Sequence, residues 1–199
     1  QNTNTYRVVL TGLCSIVNSN AATLFVNPIP TVIVSANPAS ILPNQTTTLT
    51  ATPNPAGGSF QWSFNGTAIP GATTASFGPV GINELGSYRV LYTSAAGCPV
   101  TSAELQVTGA ISDILWVYPN PNRDVFQVRF FNQSAEPATI MVFNGKGQKV
   151  YEKKVVTGAT TYSQIEVDLG LKANGVYIVQ LANGSGKLLA AKKIIVEVF

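Results

Sequence analysis

The sequence contains no histidine, only two cysteines, and charged residues make up just 11% of it. Histidine is the usual general base and a common metal ligand, so its absence excludes Ser–His and Cys–His nucleophile pairs and histidine metal sites. The net charge of +3 over 199 residues is too small and too dispersed to indicate nucleic-acid binding. No apolar run approaches the roughly 18 residues of a transmembrane helix. We therefore expect neither an enzyme nor a transmembrane segment, with no cofactor and no metal ion.

The few charges that are present lie mostly in the second half of the chain. Residues 1–110 carry four charged side chains, and residues 111–199 carry the other seventeen of the 12 basic and 9 acidic residues. The first part is rich in Thr, Ser and Asn, with β-branched and aromatic runs, a composition that predicts all-β extracellular material rather than a disordered tail. The change near residue 110 indicates two differently built parts.

Two segments of the first part repeat each other. Residues 6–11 (YRVVLT) recur as residues 88–93 (YRVLYT), and each copy leads through a cysteine to a final apolar strand. We therefore predict that residues 1–28 are the last two strands of a truncated module and that residues 29–108, the middle module, are a complete copy. On this interpretation the chain begins inside a domain, as the C-terminal piece of a longer protein.

The two cysteines, Cys14 and Cys98, occupy equivalent positions of this repeat. Equivalent points of tandem modules lie about a module length apart, far beyond the ~4.4–6.8 Å between the Cα atoms of a disulfide. We predict that the two thiols are not paired and that Cys98 is free and partly buried.

The middle module has the strand pattern of a β-sandwich. Short apolar runs are separated by turn residues, and residues 60–64 lead into Asn65-Gly66, a strong signal for a two-residue hairpin. Trp62 on a central strand and the sequence Gly86-x-Tyr88-x-Val90 make the region resemble bacterial immunoglobulin-like domains.

That resemblance implies roles for the middle module's aromatic residues. Trp62 and Tyr88 would be core residues, an interpretation we prefer to sugar stacking by Trp62. Val90 and Leu49 would form an apolar pair against Trp62, in place of the disulfide that antibody domains have between their sheets.

Residues 109–199, the C-terminal domain, also predict a small sandwich, with about seven strands in about 85 residues. Tyr118-Pro119-Asn120-Pro121 stands near its start, where the prolines are expected to stiffen the connection to the preceding linker. Further motifs follow in order: a hairpin at Gly147, Val167-Asp168-Leu169, Leu171, Gly175-Val176-Tyr177, and Lys192-Lys193-Ile194-Ile195-Val196 almost at the terminus.

This ordered set strongly resembles the type A C-terminal sorting domain of the type IX secretion system of Bacteroidetes. The resemblance covers residues 113–199. It implies that the protein crosses the periplasm and outer membrane to be secreted or displayed at the cell surface. The implied sorting-motif residues are Tyr118, Pro119, Asn120, Pro121, Gly147, Gly175, Tyr177, Lys192, Lys193, Ile194, Ile195 and Val196.

The same resemblance implies several partners. They are the type IX outer-membrane translocon with its β-barrel shuttle protein, a sortase-like protease that cuts before the domain, and anionic lipopolysaccharide to which the cleaved passenger is joined. The candidate cleavage linker is the small-residue stretch Thr108, Gly109, Ala110, Ile111 and Ser112, which we expect to be exposed.

Two motif elements have structural alternatives. Tyr177 is equally consistent with core packing and with recognition. Lys192 and Lys193 protect a strand edge against aggregation in one interpretation, and form a recognition patch or a β-augmentation edge in the other.

Taken together, the sequence predicts an all-β fold: two tandem immunoglobulin-like β-sandwich domains preceded by a partial module. The predicted function is the C-terminal part of a secreted or cell-surface protein, with the last domain as export signal and the middle module as spacer or stalk. The alternative is an adhesin-type binding module that recognises sugar or protein at the cell surface.

Overall fold

The computed structural model of the chain describes residues 4–156, 158, 161–170 and 173–197. Within these residues the chain forms twenty β-strands and no helix, which confirms the predicted all-β fold class. Leu171, one of the predicted motif residues, lies outside the described residues.

By their mutual contacts the residues divide into two compact units. One comprises the chain up to Ser35 with Leu49–Phe77 and Ser87–Leu105, and the other comprises Ala36–Thr48, Gly78–Gly86 and the chain from Gln106 onward. The domain boundaries at residues 28/29 and 108/109 stay predictions.

The first four strands are short and form two separate antiparallel pairs. Strands β1 and β4 pair with each other, as do β2 and β3. They are β1 (Thr5–Tyr6), β2 (Val9–Thr11), β3 (Ile16–Asn18) and β4 (Ala22–Thr23). All their residues are exposed, including Leu10 at 66% and Val17 at 57%, so this segment has no apolar core of its own.

The repeat seen in the sequence extends to individual hydrogen bonds. The Val8 N–H donates to Ser19 Oγ and the Ser19 N–H donates to the Val8 carbonyl, both at 2.9 Å. In the second copy the Val90 N–H donates to Ser102 Oγ at 3.1 Å and the Ser102 N–H to the Val90 carbonyl at 2.9 Å. In both copies the serine hydroxyl then donates to the carbonyl of the next residue. The two segments therefore have the same local structure as well as similar sequence.

Nine strands follow in the middle module. They are β5 (Thr31–Ala36), β6 (Ser40–Ile41), β7 (Thr47–Asn54), β8 (Ser59–Phe64), β9 (Thr67–Ala68), β10 (Ser76–Val80), β11 (Gly86–Thr93), β12 (Pro99–Thr101) and β13 (Leu105–Gly109). One sheet has the order β10-β7-β5, and the other has the order β6-β13-β11-β8-β9, with β12 also paired to β11.

Trp62 lies at the centre of the middle module. Its side chain is fully buried, its indole N–H donates to the Thr74 carbonyl at 2.9 Å, and its ring centroid lies 6.1 Å from that of Phe77. Tyr88 is 2% exposed and also lies 6.1 Å from Phe77. Because Trp62 and Phe77 belong to different sheets, these contacts pack one sheet on the other, and both predicted core aromatics are core residues.

Other local predictions for this region also agree with the structure. Val90 lies opposite Trp62 in the pairing of β11 with β8, and both Val90 and Leu49 are fully buried. Asn65 and Gly66 have φ of 48° and 83°, which is the left-handed conformation that a two-residue hairpin turn requires. Cys14 and Cys98 are free thiols, Cys14 exposed and Cys98 half-buried.

The last seven strands form one continuous path, β17-β16-β19-β20-β14-β15-β18. They are β14 (Trp116–Arg123), β15 (Val125–Asn132), β16 (Ala138–Phe143), β17 (Lys149–Val155), β18 (Thr161–Asp168), β19 (Gly175–Asn183) and β20 (Leu188–Val196). Alternating side chains of β15, β16, β19 and β20 point into one shared core. Its fully buried members are Val128, Ile140, Val142, Val167, Val179, Ile194 and Val196.

We predict that Trp62→Ala lowers the free energy of unfolding of the middle module by about 3–5 kcal/mol, because it leaves a large cavity and an unpaired Thr74 carbonyl. Leu91→Ala is the control, since Leu91 is on a neighbouring strand but 42% exposed, and it should cost about 1 kcal/mol or less. Denaturant unfolding followed by circular dichroism measures both. Equal losses for the two variants would contradict the core role of Trp62.

Candidate functional site

The Tyr118–Pro121 motif lies inside strand β14, at the point where this strand changes neighbours. Trp116 to Tyr118 pair antiparallel with β15, whereas Asn122 lies opposite Val196 in a parallel pairing with β20. The pairing with β15 is irregular between Tyr118 and Arg123. The sequence prediction was wrong on one point. The two prolines do not stiffen the connection to the linker but lie inside strand β14, where its pairing changes from β15 to β20.

The Asn120 side chain replaces backbone hydrogen bonds that prolines cannot make. Pro119 and Pro121 have no N–H to donate. The Asn120 amide instead accepts from the Ile195 N–H at 2.8 Å and donates to the Lys193 carbonyl at 3.5 Å. One exposed side chain therefore joins the first sorting motif to the last one, 75 residues later in the chain.

Asn122 continues this connection by one further step along β20. Its side-chain amide donates to the Ile195 carbonyl at 3.2 Å, and its own carbonyl accepts from the Glu197 N–H at 2.9 Å. Asn122 is only 3% exposed. The end of the terminal strand is thus hydrogen-bonded to both asparagines that flank Pro121.

Tyr118 packs against a buried arginine. The guanidinium carbon of Arg129 lies 5.8 Å from the centroid of the Tyr118 ring, a distance at which a cation–π attraction operates. Arg129 is 5% exposed, and its Nη2 donates to Gln164 Oε1 and, at 2.6 Å, to Asn83 Oδ1. Tyr118 itself is 38% exposed.

The last motif divides into a buried half and an exposed half. Ile194 and Val196 are fully buried and pair with Tyr177 and Gly175 of β19, and Ile195 is half-buried. Lys192 and Lys193 are exposed. The apolar residues thus anchor the strand that carries the two lysines.

Gly147 and Gly175 lie at the same end of this sheet as Val196. Gly147 has φ of 77° in the turn from β16 to β17, which confirms the turn conformation expected of it, and its N–H donates to the Asn144 carbonyl at 3.0 Å. Gly175 lies opposite Val196 at the start of β19. Gly145 of the turn and Gly175 line one shallow pocket. The structure therefore brings most of the predicted motif residues to one end of the C-terminal domain.

Tyr177 belongs to the core. It is 5% exposed, and its hydroxyl donates to the Ala173 carbonyl at 2.7 Å. Burial, and secondarily the negative charge of Asp124, raise the pKa of Tyr177 above its usual value. Of the two interpretations of this residue, the geometry favours fold maintenance.

The candidate cleavage linker is more ordered than we expected. Thr108 and Gly109 end strand β13 and pair with β6, and the Ala110 N–H donates to the Ile41 carbonyl at 2.8 Å. Ala110 and Ser112 are half-buried, whereas Ile111 is 74% exposed. The prediction of an exposed linker throughout residues 108–112 is therefore wrong for all but Thr108 and Ile111, because the small residues here permit close packing.

Sequence reasoning missed three residues of this region: Asn122, Arg129 and Tyr162. Tyr162 contacts both Trp116 and Phe131 edge-on and donates from its hydroxyl to the Ala110 carbonyl. The contacts of these three residues are all distant in sequence, so no local pattern identifies them.

Within the described residues, no three Cys, Asp or Glu side chains cluster in a way that could hold a metal ion. None of the described residues form a helix long and apolar enough to cross a membrane.

Several solved structures resemble the chain at low identity. Three N-terminal domains of the outer capsid protein Hoc of bacteriophage RB49 are 16% identical over 85% of this chain and 59% of that one, with a TM-score of 0.40. Dimeric latent PorU from Porphyromonas gingivalis is 18% identical over 80% of this chain and 19% of its own, with a TM-score of 0.38. The chain thus spans less than two thirds of either structure. No curated protein matches the sequence.

PorZ, described as an essential bacterial surface component of the type IX secretion system of P. gingivalis, is 22% identical over 55% of this chain and 15% of its own, with a TM-score of 0.31. The decisive comparison is with a sequence family. Residues 116–197 match the family described as the secretion system C-terminal sorting domain. This range holds every predicted sorting-motif residue, from Tyr118 to Val196. The C-terminal part of the chain therefore belongs to the sorting domains of the type IX secretion system, which direct a protein through the outer membrane to the cell surface or the extracellular space.

Proposed function

We propose that the C-terminal domain is the export signal of this protein, that its terminal strand presents the recognition patch, and that the middle module is a spacer. The observation that carries the proposal is the Asn120 bridge between the first and last motifs of a family-matched domain. It bonds to the backbone at Lys193 and Ile195, so the two exposed lysines extend from a strand segment with a defined position.

The finer partners follow from this role. A β-barrel shuttle protein of the outer-membrane translocon would recognise the patch, a sortase-like protease would cut before the domain, and anionic lipopolysaccharide would receive the passenger. These residues would contribute no catalysis of their own, since they supply no nucleophile–base pair with histidine.

The spacer role is better supported than the adhesin alternative. Sugar-binding surfaces need exposed aromatic faces, but Trp62, Tyr88 and Tyr92 of the middle module are all 2% exposed or less. Low surface charge also suits a segment that separates a passenger from its anchor.

The proposed signal can be tested by transfer. Residues 109–199 fused to a neutral reporter should send it to the surface or medium of a type IX-competent host, and mass spectrometry of the released reporter locates the cut. A reporter that stays in the periplasm would contradict the export role, and a cut well outside residues 105–118 would contradict the proposed linker.

Deletion of Lys192–Phe199 is a poor test of the patch. It removes Ile194 and Val196, which are fully buried members of the core, together with the two lysines. Loss of export after such a deletion would therefore report unfolding as well as loss of the patch.

We predict instead that Lys192→Ala with Lys193→Ala lowers export about tenfold while the domain stays folded, because it removes charge complementarity and leaves the core unchanged. The control is Lys153→Ala with Lys154→Ala, which removes the same charge from exposed positions of β17. Secreted reporter measured by immunoblot checks both. Equal export by the two double variants would contradict the proposal that Lys192 and Lys193 form a recognition patch.

We further predict that Asn120→Leu destabilises the domain by about 1–3 kcal/mol, because the Ile195 N–H loses its acceptor. Hydrogen exchange at the Ile195 amide should become faster, and export should fall. Gln127→Leu is the control, since Gln127 bonds to the exposed Glu166 side chain rather than to β20. Unchanged exchange at Ile195 in the Asn120 variant would contradict the bridging role.

A further inference from the structure

Residues 111–114 form a short stretch between the middle module and the C-terminal domain, and the chain is held in place at both ends of this stretch. On the N-terminal side, the Ala110 N–H donates to the Ile41 carbonyl and the Ala110 carbonyl accepts from the Tyr162 hydroxyl, both at 2.8 Å. On the C-terminal side, Leu115 is 3% exposed and belongs to the core. All these residues lie in one compact unit.

Tyr162 is itself firmly positioned. Its ring packs edge-on against Trp116, with centroids 5.5 Å apart, and against Phe131, with centroids 5.3 Å apart. Burial raises the pKa of Tyr162 above its usual value, although a hydrogen bond with Ser112 opposes that effect. The hydroxyl therefore stays protonated at neutral pH and can donate to Ala110.

Gly109 allows the chain to approach this ring. A Cβ atom at position 109 would lie 2.8 Å from Tyr162 Cδ2, 3.0 Å from Cε2 and 3.3 Å from Leu85 Cδ1. These distances are shorter than ordinary van der Waals contacts, so a side chain here would displace Tyr162 or the linker. Close packing therefore requires a glycine at position 109.

Between these anchors lie residues 111–114, three of which are exposed, whereas the fourth, Ser112, is half-buried and hydrogen-bonded to Tyr162. Ile111 is 74% exposed and Ile114 is 54% exposed, and Asp113 between them is also exposed. We propose that proteolytic processing of this protein is confined to the peptide bonds from Ile111 to Ile114 and that Tyr162 controls access to them. This inference rests on the proposed export function and assigns the processed bonds and the residue that guards them.

The control by Tyr162 follows from the way proteases bind substrates. A protease hydrolyses a peptide bond by adding water across it, which releases a new carboxylate and a new amino group, and it must first bind an extended segment. A four-residue stretch fixed at both ends is too short for this, so cleavage depends on transient local opening. Leu115 is held by the core, whereas Ala110 is held by two hydrogen bonds. Release of Ala110 from Tyr162 therefore costs less free energy than removal of Leu115 from the core.

The test is limited proteolysis of the full chain by proteinase K, with the rate of each cut measured by mass spectrometry. Tyr162→Phe keeps the ring and removes only the hydroxyl that donates to Ala110. When opening is fast relative to cleavage, the cutting rate follows the open population, so loss of the bonds of this hydroxyl to Ala110 and Ser112 should raise the rate within residues 110–115 about fivefold. Tyr151→Phe, which removes a hydroxyl from β17, should leave that rate unchanged.

A second pair of variants tests the packing. Gly109→Ala should also accelerate cutting within residues 110–115, whereas Gly145→Ala should not, because the nearest atom to a Cβ at Gly145 is the Val176 carbonyl oxygen at an ordinary 3.6 Å. Circular dichroism verifies that each variant keeps its strands.

An unchanged rate in Tyr162→Phe, or linker cuts centred on Thr108–Gly109 in the unmodified chain, would overturn the proposal. No secretion machinery takes part in this assay. A failure here would therefore leave the export function standing, and a failure of the reporter experiment would leave the measured effect of Tyr162 on proteolysis intact.

Discussion

Strand β14 must serve two sets of neighbours, and the arrangement of the C-terminal domain depends on how it does so. Its first residues pair with β15, and Asn122 pairs with β20. Pro119 and Pro121 lie where β14 changes neighbours, and they interrupt its regular pairing with β15 because a proline has no backbone N–H to donate. The side chains of Asn120 and Asn122 supply the bonds to β20 that the backbone cannot. They extend the contact between β14 and β20 beyond the single pairing of Asn122 with Val196.

This constraint explains why the sorting motifs lie at opposite ends of the domain sequence. The terminal strand is the last part of the domain to leave the ribosome, and it completes a core to which Ile194 and Val196 contribute. Asn120 can accept from the Ile195 N–H only after that strand has docked. On the proposed export function, a partner that binds the docked strand therefore recognises a folded domain.

The sequence predicted features that depend on local chemistry and failed where distant residues decide. Trp62 and the Asn65-Gly66 turn were predicted correctly because strand alternation and positive φ are properties of a few neighbouring residues. The Pro119–Pro121 segment was misplaced because its position inside a strand depends on β20, more than 70 residues away. Gly109 was wrongly predicted to be exposed for a similar reason: only the position of the Tyr162 ring, distant in sequence, shows that this glycine permits close packing.

The positive charges of the C-terminal domain differ in their surroundings. Arg129 is buried between Tyr118, Gln164 and Asn83, and Lys149 forms an ion pair with Glu152, so these two charges serve local structure. Lys192 and Lys193 are different, because they are exposed on a strand whose backbone is bonded to β19 and to Asn120. On the proposed export function, binding of a partner to these lysines costs less conformational entropy than the ordering of a flexible basic tail would. The proposed signal then depends on the fixed strand as well as on the two charges.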